Sequence, residues 1–155
     1  MDQDKPVPGP EPLGRLLAFT AKELREAADG ALGAAGGSLG TWILLDALIE
    51  QGEVSQAALA SHMHLEGATI THHIDRLEAL GLVERAVDGD DRRVRRISLT
   101  GPGVALHLSL QQAMIAFEAA VLEGLSASET SQMRRGLQRI RANLERFDRP
   151  GNATP

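Results

Sequence analysis

From residue 13 to about residue 35, apolar side chains recur at intervals of three and four: Leu13, Leu16, Leu17, Leu24, Ala27, Ala28 and Leu32. That period predicts an amphipathic helix. Gly36-Gly37 breaks it, and Ser38 is a good N-cap for a second helix near residues 39–51. Trp42, Leu44, Leu45, Leu48 and Ile49 form its buried face, and Gly52 ends it. Ser55 caps a short third helix, with Val54 placed to staple against Leu59. His64-Leu65-Glu66-Gly67 interrupts the pattern, which resumes near residues 68–80 with Ile70, Ile74, Leu77 and Leu80 on one face. Gly81 ends this fourth helix as a C′ residue.

The period then shortens. Residues 82–86 and 93–99 are short and rich in β-branched side chains, and Asp88-Gly89-Asp90-Asp91 between them is turn chemistry, which predicts a β-hairpin. Thr100 caps a fifth helix with Pro102 in its first turn, reaching about residue 123 and apolar around much of its circumference (Val104, Leu106, Leu108, Leu110, Met114, Ile115, Phe117, Val121, Leu122). Ser126-Ala127-Ser128-Glu129 fits a capping box and starts a sixth helix to about residue 147. Four prolines among residues 1–12, and the stretch 148–155, read as disordered tails.

The predicted fold is therefore mainly α with a small β-hairpin wing. Residues 38–100 form a winged helix-turn-helix, the order of elements that carries a recognition helix into duplex DNA. Residues 13–37 and 101–147 are the N- and C-terminal dimerisation helices, because helix five is apolar on more faces than so small a core can cover.

Composition narrows the function. The 155 residues include no cysteine, which removes disulfides, thiol catalysis and thiolate metal sites. Tyrosine is absent and aromatics make up 3%, too few for a stacking surface on single-stranded nucleic acid. No apolar run approaches the ~18–20 residues of a membrane span, and the acidic, proline-dotted start is no signal peptide, so the cytosol is the default compartment. Bulk charge, −5, opposes a nucleic-acid partner. Yet all but two of the 16 basic residues, Lys5 and Lys22, are arginine, suited to forked, planar contacts.

Three segments carry a family resemblance. Residues 56–65 (QAALASHMHL) resemble the first helix of the helix-turn-helix in the MarR family of bacterial transcriptional regulators. Residues 69–83 (TITHHIDRLEALGLV) resemble its recognition helix, and residues 88–100 (DGDDRRVRRISLT) resemble its wing. The likeness covers about residues 13–147 and departs at Gly89, where the wing often has proline, at His64, where the turn often has glycine, and at His72, where many relatives have arginine. It implies a dimeric repressor on a palindromic operator, released by a small, often aromatic and anionic, effector.

The candidate DNA contacts follow. The face of the recognition helix opposite its core offers Thr69, Thr71, His72, His73 and Arg76, of which Thr69, Thr71 and His72 lie in the turns that reach base edges. Arg92, Arg93, Arg95 and Arg96 crowd the wing, and either Arg92 or Arg93 suits the minor groove. The resemblance implies that Asp91 orients Arg93 or steadies the wing tip. Ser38, Ser55 and Gln56, at helix N-termini, can hold phosphates through backbone amides. Acids match or outnumber bases over residues 62–96, so affinity must come from focal placement of arginine. With about six phosphates neutralised, binding falls up to ~10³-fold between 50 and 200 mM salt.

The effector cleft implied by the resemblance lies among helices one, two and five, with Arg15, Phe19, Trp42 and His107 as candidate contacts. Two other classes compete. A metal-responsive regulator would use His62, His64, His72 and His73, but adjacent helical histidines diverge by about 100° and zinc needs three or four converging ligands. A helical dimer acting through protein contacts alone would have no use for the intact wing. No Gly-rich phosphate loop, nucleophile elbow or HExxH pattern marks an enzyme, and no metal or cofactor is expected.

Overall fold

A computed structural model describes residues 11–63, 67–89 and 94–147. The described elements run α1 (Leu13–Gly33), α2 (Leu39–Gln51), β1 (Val54–Ser55), α3 (Gln56–His62), α4 (Gly67–Ala79), β2 (Val83–Val87), β3 (Arg95–Leu99), α5 (Gly101–Val121) and α6 (Ala127–Phe147). The fold is mainly α with one small antiparallel sheet, as the pattern predicted.

The predicted stops and starts act through identifiable bonds. Ser38 accepts the Thr41 amide (3.2 Å), while Asp29 of α1 accepts the Leu39 amide (2.7 Å), so two orphan donors of α2 are satisfied. Ser55 accepts the Ala58 amide at 3.1 Å. Gly81 takes φ +70° after α4, and the Leu82 and Gly81 amides return to the Leu77 and Glu78 carbonyls, both at 2.9 Å. That left-handed closure is cheap for glycine and costly for other residues.

The sheet has the order β1-β3-β2. Val83 to Val87 of β2 oppose Leu99 to Arg95 of β3, while Val54 and Ser55 oppose Ile97 and Arg96. The two-residue β1 escaped the sequence pattern, since so short a strand shows no alternation. Val54, expected as a staple, packs against the core that contains Leu59 and also pairs as a strand residue, and Ser55 pairs in the sheet while it caps α3. Thr100 binds the strands to α5. Its amide donates to Leu82 O (3.1 Å), its hydroxyl donates to Gly81 O (2.6 Å), and its oxygen accepts the Gly103 amide (3.2 Å). At Gly103 a Cβ would lie 2.0 Å from the Leu82 carbonyl oxygen, so only glycine permits this approach.

The core gathers Leu32 of α1, Leu44, Leu45 and Leu48 of α2, Leu59 of α3, Ile70, Ile74 and Leu77 of α4, Val83 and Ile97 of the sheet, and Leu110 of α5. Two expected core residues fall outside it. Ile49 is 45% exposed and Leu80 is 61% exposed, the latter because α4 ends at Ala79 and turns away. By length and composition, Gly101–Val121 is apolar enough to cross a membrane, contrary to the sequence expectation, because an averaged window tolerates polar residues that interrupt a run. Only Gly103, His107 and Leu110 of it are buried, with His107 bonded to Asp46 of α2.

The chain divides into two compact units, up to Phe117 and from Glu118 onward. The second contains the end of α5 and α6. Its capping box is complete: Glu129 N donates to Ser126 Oγ (3.3 Å), and Ser126 N donates back to Glu129 Oε2 (2.8 Å). Those bonds to Ser126 hold the Glu129 carboxyl below its ordinary pKa. No residue of α6 is buried, and Met133, Leu137, Leu144 and Phe147 stand exposed along it.

Candidate nucleic-acid interface

Helix α4 is anchored by one row of side chains, Ile70, Ile74 and Leu77, all at most 3% exposed. Each buried aliphatic side chain of this kind is worth ~1.5–3 kcal/mol. The helical period sorts the remaining positions into two adjoining strips: Thr69, His72 and Arg76, and beside it Thr71, Asp75 and Glu78.

The two strips differ in what they do for the fold. Every member of the second is engaged. Thr71 Oγ1 donates to Gly67 O (2.7 Å) and accepts from Gln56 Nε2 (2.6 Å). Asp75 and Glu78 both receive the guanidinium of Arg85 from β2, with Nη2 2.5 Å from Asp75 Oδ1 and Nη1 on Glu78 Oε2. Burial works against the Arg85 charge, but hydrogen bonds and attraction from Asp75 and Glu78 outweigh it and raise its pKa. This fork ties the wing strand to α4 and offsets one of the two negative charges of Asp75 and Glu78, leaving the cluster at a net −1. The side chains of Thr69, His72 and Arg76 make no hydrogen bond or ion pair among the described residues, and all three are exposed.

His73 lies at the other edge of α4, half-buried, its ring 6.2 Å from that of His72 and its Cε1 4.0 Å from where a Cβ on Gly40 would stand. It therefore flanks the start of α2 and the Ser38 cap. Across α4, an open cavity of about 560 Å³ separates α3, α4 and β3, lined by Gln56, Ala60, Ile70, Thr71 and Arg95 among others. Arg95 is exposed at the turn end of β3, opposite Val87, whereas Arg96 is spent on Asp88, a carboxylate only 8% exposed, and lies 3.9 Å from Glu53. Asp91, Arg92 and Arg93 lie outside the described residues.

The candidate effector residues separate into two pairs. On the seam between α2 and α5, Trp42 Nε1 donates to Gln111 Oε1 (2.9 Å), and His107 Nε2 lies 2.9 Å from Asp46 Oδ1. On the exposed start of α1, the Arg15 guanidinium sits 5.5 Å from the Phe19 ring centre and pairs with Glu11 at 3.1 Å. Of the histidines weighed as metal ligands, His62 faces Glu50 at 3.7 Å and His64 lies outside the described residues. The sequence reading missed Arg85, Asp75 and Glu78. The i, i+3 spacing of the two acids was visible, but their partner comes from another element.

Comparison with known proteins agrees with this geometry. A family model described as the MarR family matches residues 37–94, from the start of α2 into the wing. An uncharacterized HTH-type transcriptional regulator of Bacillus subtilis, YdgJ, is 29% identical over 105 residues, covering 68% of this chain and 64% of that protein. The Staphylococcus aureus MepR–DNA complex shares the fold, with 24% identity and a TM-score of 0.80 over 86% of this chain and 99% of that one. A transcriptional regulator of the MarR family from Rhodococcus sp. RHA1 is 30% identical, with a TM-score of 0.75 over 84% of this chain and 96% of its own. With the winged helix-turn-helix in place and this relative matched almost end to end, the chain belongs to the MarR family.

Proposed function

We propose that this protein is a sequence-specific regulator of transcription that binds double-stranded DNA as a homodimer. The observation that carries the reading is the strip Thr69, His72 and Arg76 on α4, exposed and uncommitted among the described residues, beside an exposed Arg95 and with the neighbouring acids Asp75 and Glu78 both held on Arg85. Hydrogen-bonding side chains without partners among the described residues, on a helix anchored from behind, are what reading of a major groove requires. The DNA complex of the MepR fold supports the same use of this architecture.

Residues 38–100 supply the DNA contacts in this reading, and residues 13–37 and 101–147 the dimer contacts. Exposed Leu13, Leu16 and Phe19 on α1, Leu108 and Ile115 on α5, and Leu137 and Leu144 on α6 support the second assignment. A two-fold pair sets its recognition helices ~34 Å apart and calls for a palindromic operator. The protein acts in the cytoplasm as a repressor, released by a small aromatic or anionic effector near Trp42 and His107. The Nδ1 atom of His107, buried and without a hydrogen-bond partner among the described residues, supports an effector contact there.

Selection of bound fragments from genomic DNA, followed by gel shifts at stated salt, tests the reading. Arg76→Ala and Arg93→Ala should each weaken operator binding by ~1–3 kcal/mol without unfolding the protein. Absence of any selected duplex, or unchanged affinity in both variants, overturns it.

A further inference from the structure

We propose that Gln56 and Thr71 are positioning residues that set the angle at which α4 meets DNA, and that neither reads a base. The inference rests on the DNA-binding reading above and divides the labour within that site.

A threonine hydroxyl has one proton. That of Thr71 goes to the Gly67 carbonyl, so the Gln56 amide must present its NH₂ to the remaining lone pair, as the 2.6 Å Nε2 contact has it. The pair bridges two helices across 15 residues of sequence. It also stands where packing is thin. Gln56 and Thr71 both line the open cavity of about 560 Å³ between α3, α4 and β3, on the solvent side of the Ile70 and Leu59 packing.

The apolar anchor of α4 is a single row, Ile70, Ile74 and Leu77; off that row the Arg85 fork holds the C-terminal half at Asp75 and Glu78, and the Gln56–Thr71 bond holds the N-terminal half. One row fixes depth and direction but resists rolling about the helix axis poorly. A bond off that row stops the roll. At a radius of about 5–6 Å, a roll of about 10° carries a side-chain tip about 1 Å along its arc. Base-edge hydrogen bonds hold over only about half an ångström, so a roll of that size breaks them. His72, adjacent to Thr71, and Arg76 on the same strip would feel it first.

The test compares binding of the full chain to its selected operator and to a scrambled duplex, for wild type, Thr71→Val, Gln56→Leu, the double variant and Thr71→Ser. Each of the first two should lose about 3- to 10-fold in operator affinity. The double variant should lose no more than either alone, because both break one bond. Thr71→Ser, which keeps the hydroxyl, should bind as wild type. Scrambled-duplex binding and the salt slope should not change, since no phosphate contact is removed. Losses that multiply in the double variant mean two separate DNA contacts and overturn the proposal. So does Thr71→Val binding as wild type, or Thr71→Ser failing to rescue. A wild-type protein that prefers no duplex overturns the functional reading and this inference with it, whereas selective wild-type binding with multiplying losses overturns the brace alone.

Discussion

Helices α4 and α6 look alike as patterns, each with apolar residues at intervals of three and four along one face and polar residues elsewhere. Yet α4 buries Ile70, Ile74 and Leu77, and α6 buries nothing. Amphipathic spacing tells which face a helix will hide, not whether its own chain supplies the cover. The α4 stripe belongs to one core with residues of α1, α2, α3, α5 and the sheet, so its apolar area is removed from water within one chain. On the α6 stripe, Met133, Leu137, Leu144 and Phe147 are exposed among the described residues.

The contrast can be broken most strongly at Ile74. Ile74→Ala should cost ~2–5 kcal/mol in chemical unfolding of the protein, since the site is fully buried. A loss as small as that of Leu137→Ala would mean that the α4 stripe is no more a core than the α6 stripe. On α6 the expected loss is in association instead. Leu137→Glu with Leu144→Glu should weaken dimerisation about tenfold or more in sedimentation equilibrium while leaving the near-ultraviolet spectrum of Trp42 unchanged. A dimer of wild-type strength would place the interface elsewhere.

The smallest effect belongs to the start of α6. The folded pKa of Glu129 lies below its ordinary value near 4.5, so its capping contribution is present above that value and is lost as pH falls through the folded pKa. The Ser126 amide resonance should titrate with a midpoint below 4.5, and Glu129→Gln should abolish that titration. A midpoint at or above 4.5 would mean that the cap leaves the carboxyl unperturbed.

Much of the architecture was legible because its causes are local. Ser38, Ser55, Gly81, Thr100 and Ser126 act over three to five residues, and each makes the stop or start that its type and place predicted. The outward face of α4 was legible only in part. Thr69 and Thr71 are the same residue type two positions apart, and nothing in the string distinguishes a free hydroxyl from one held between Gly67 and Gln56. Arg95 and Arg96 are likewise adjacent and identical, yet Arg96 faces Asp88 and Glu53 because strand neighbours point to opposite sides of the sheet.

The chain's periodicity and caps by themselves determined six helices, a hairpin and the buried row of α4. Folding in three dimensions decided the rest: the two-residue strand β1, the Arg85 fork on Asp75 and Glu78, the glycine-only contact at Gly103, and the exposure of Ile49 and Leu80. The reason is range. A turn or cap is settled by neighbours that the chain cannot separate, whereas these features join residues from distant elements, and their partners exist only once α4, the sheet and α5 have packed.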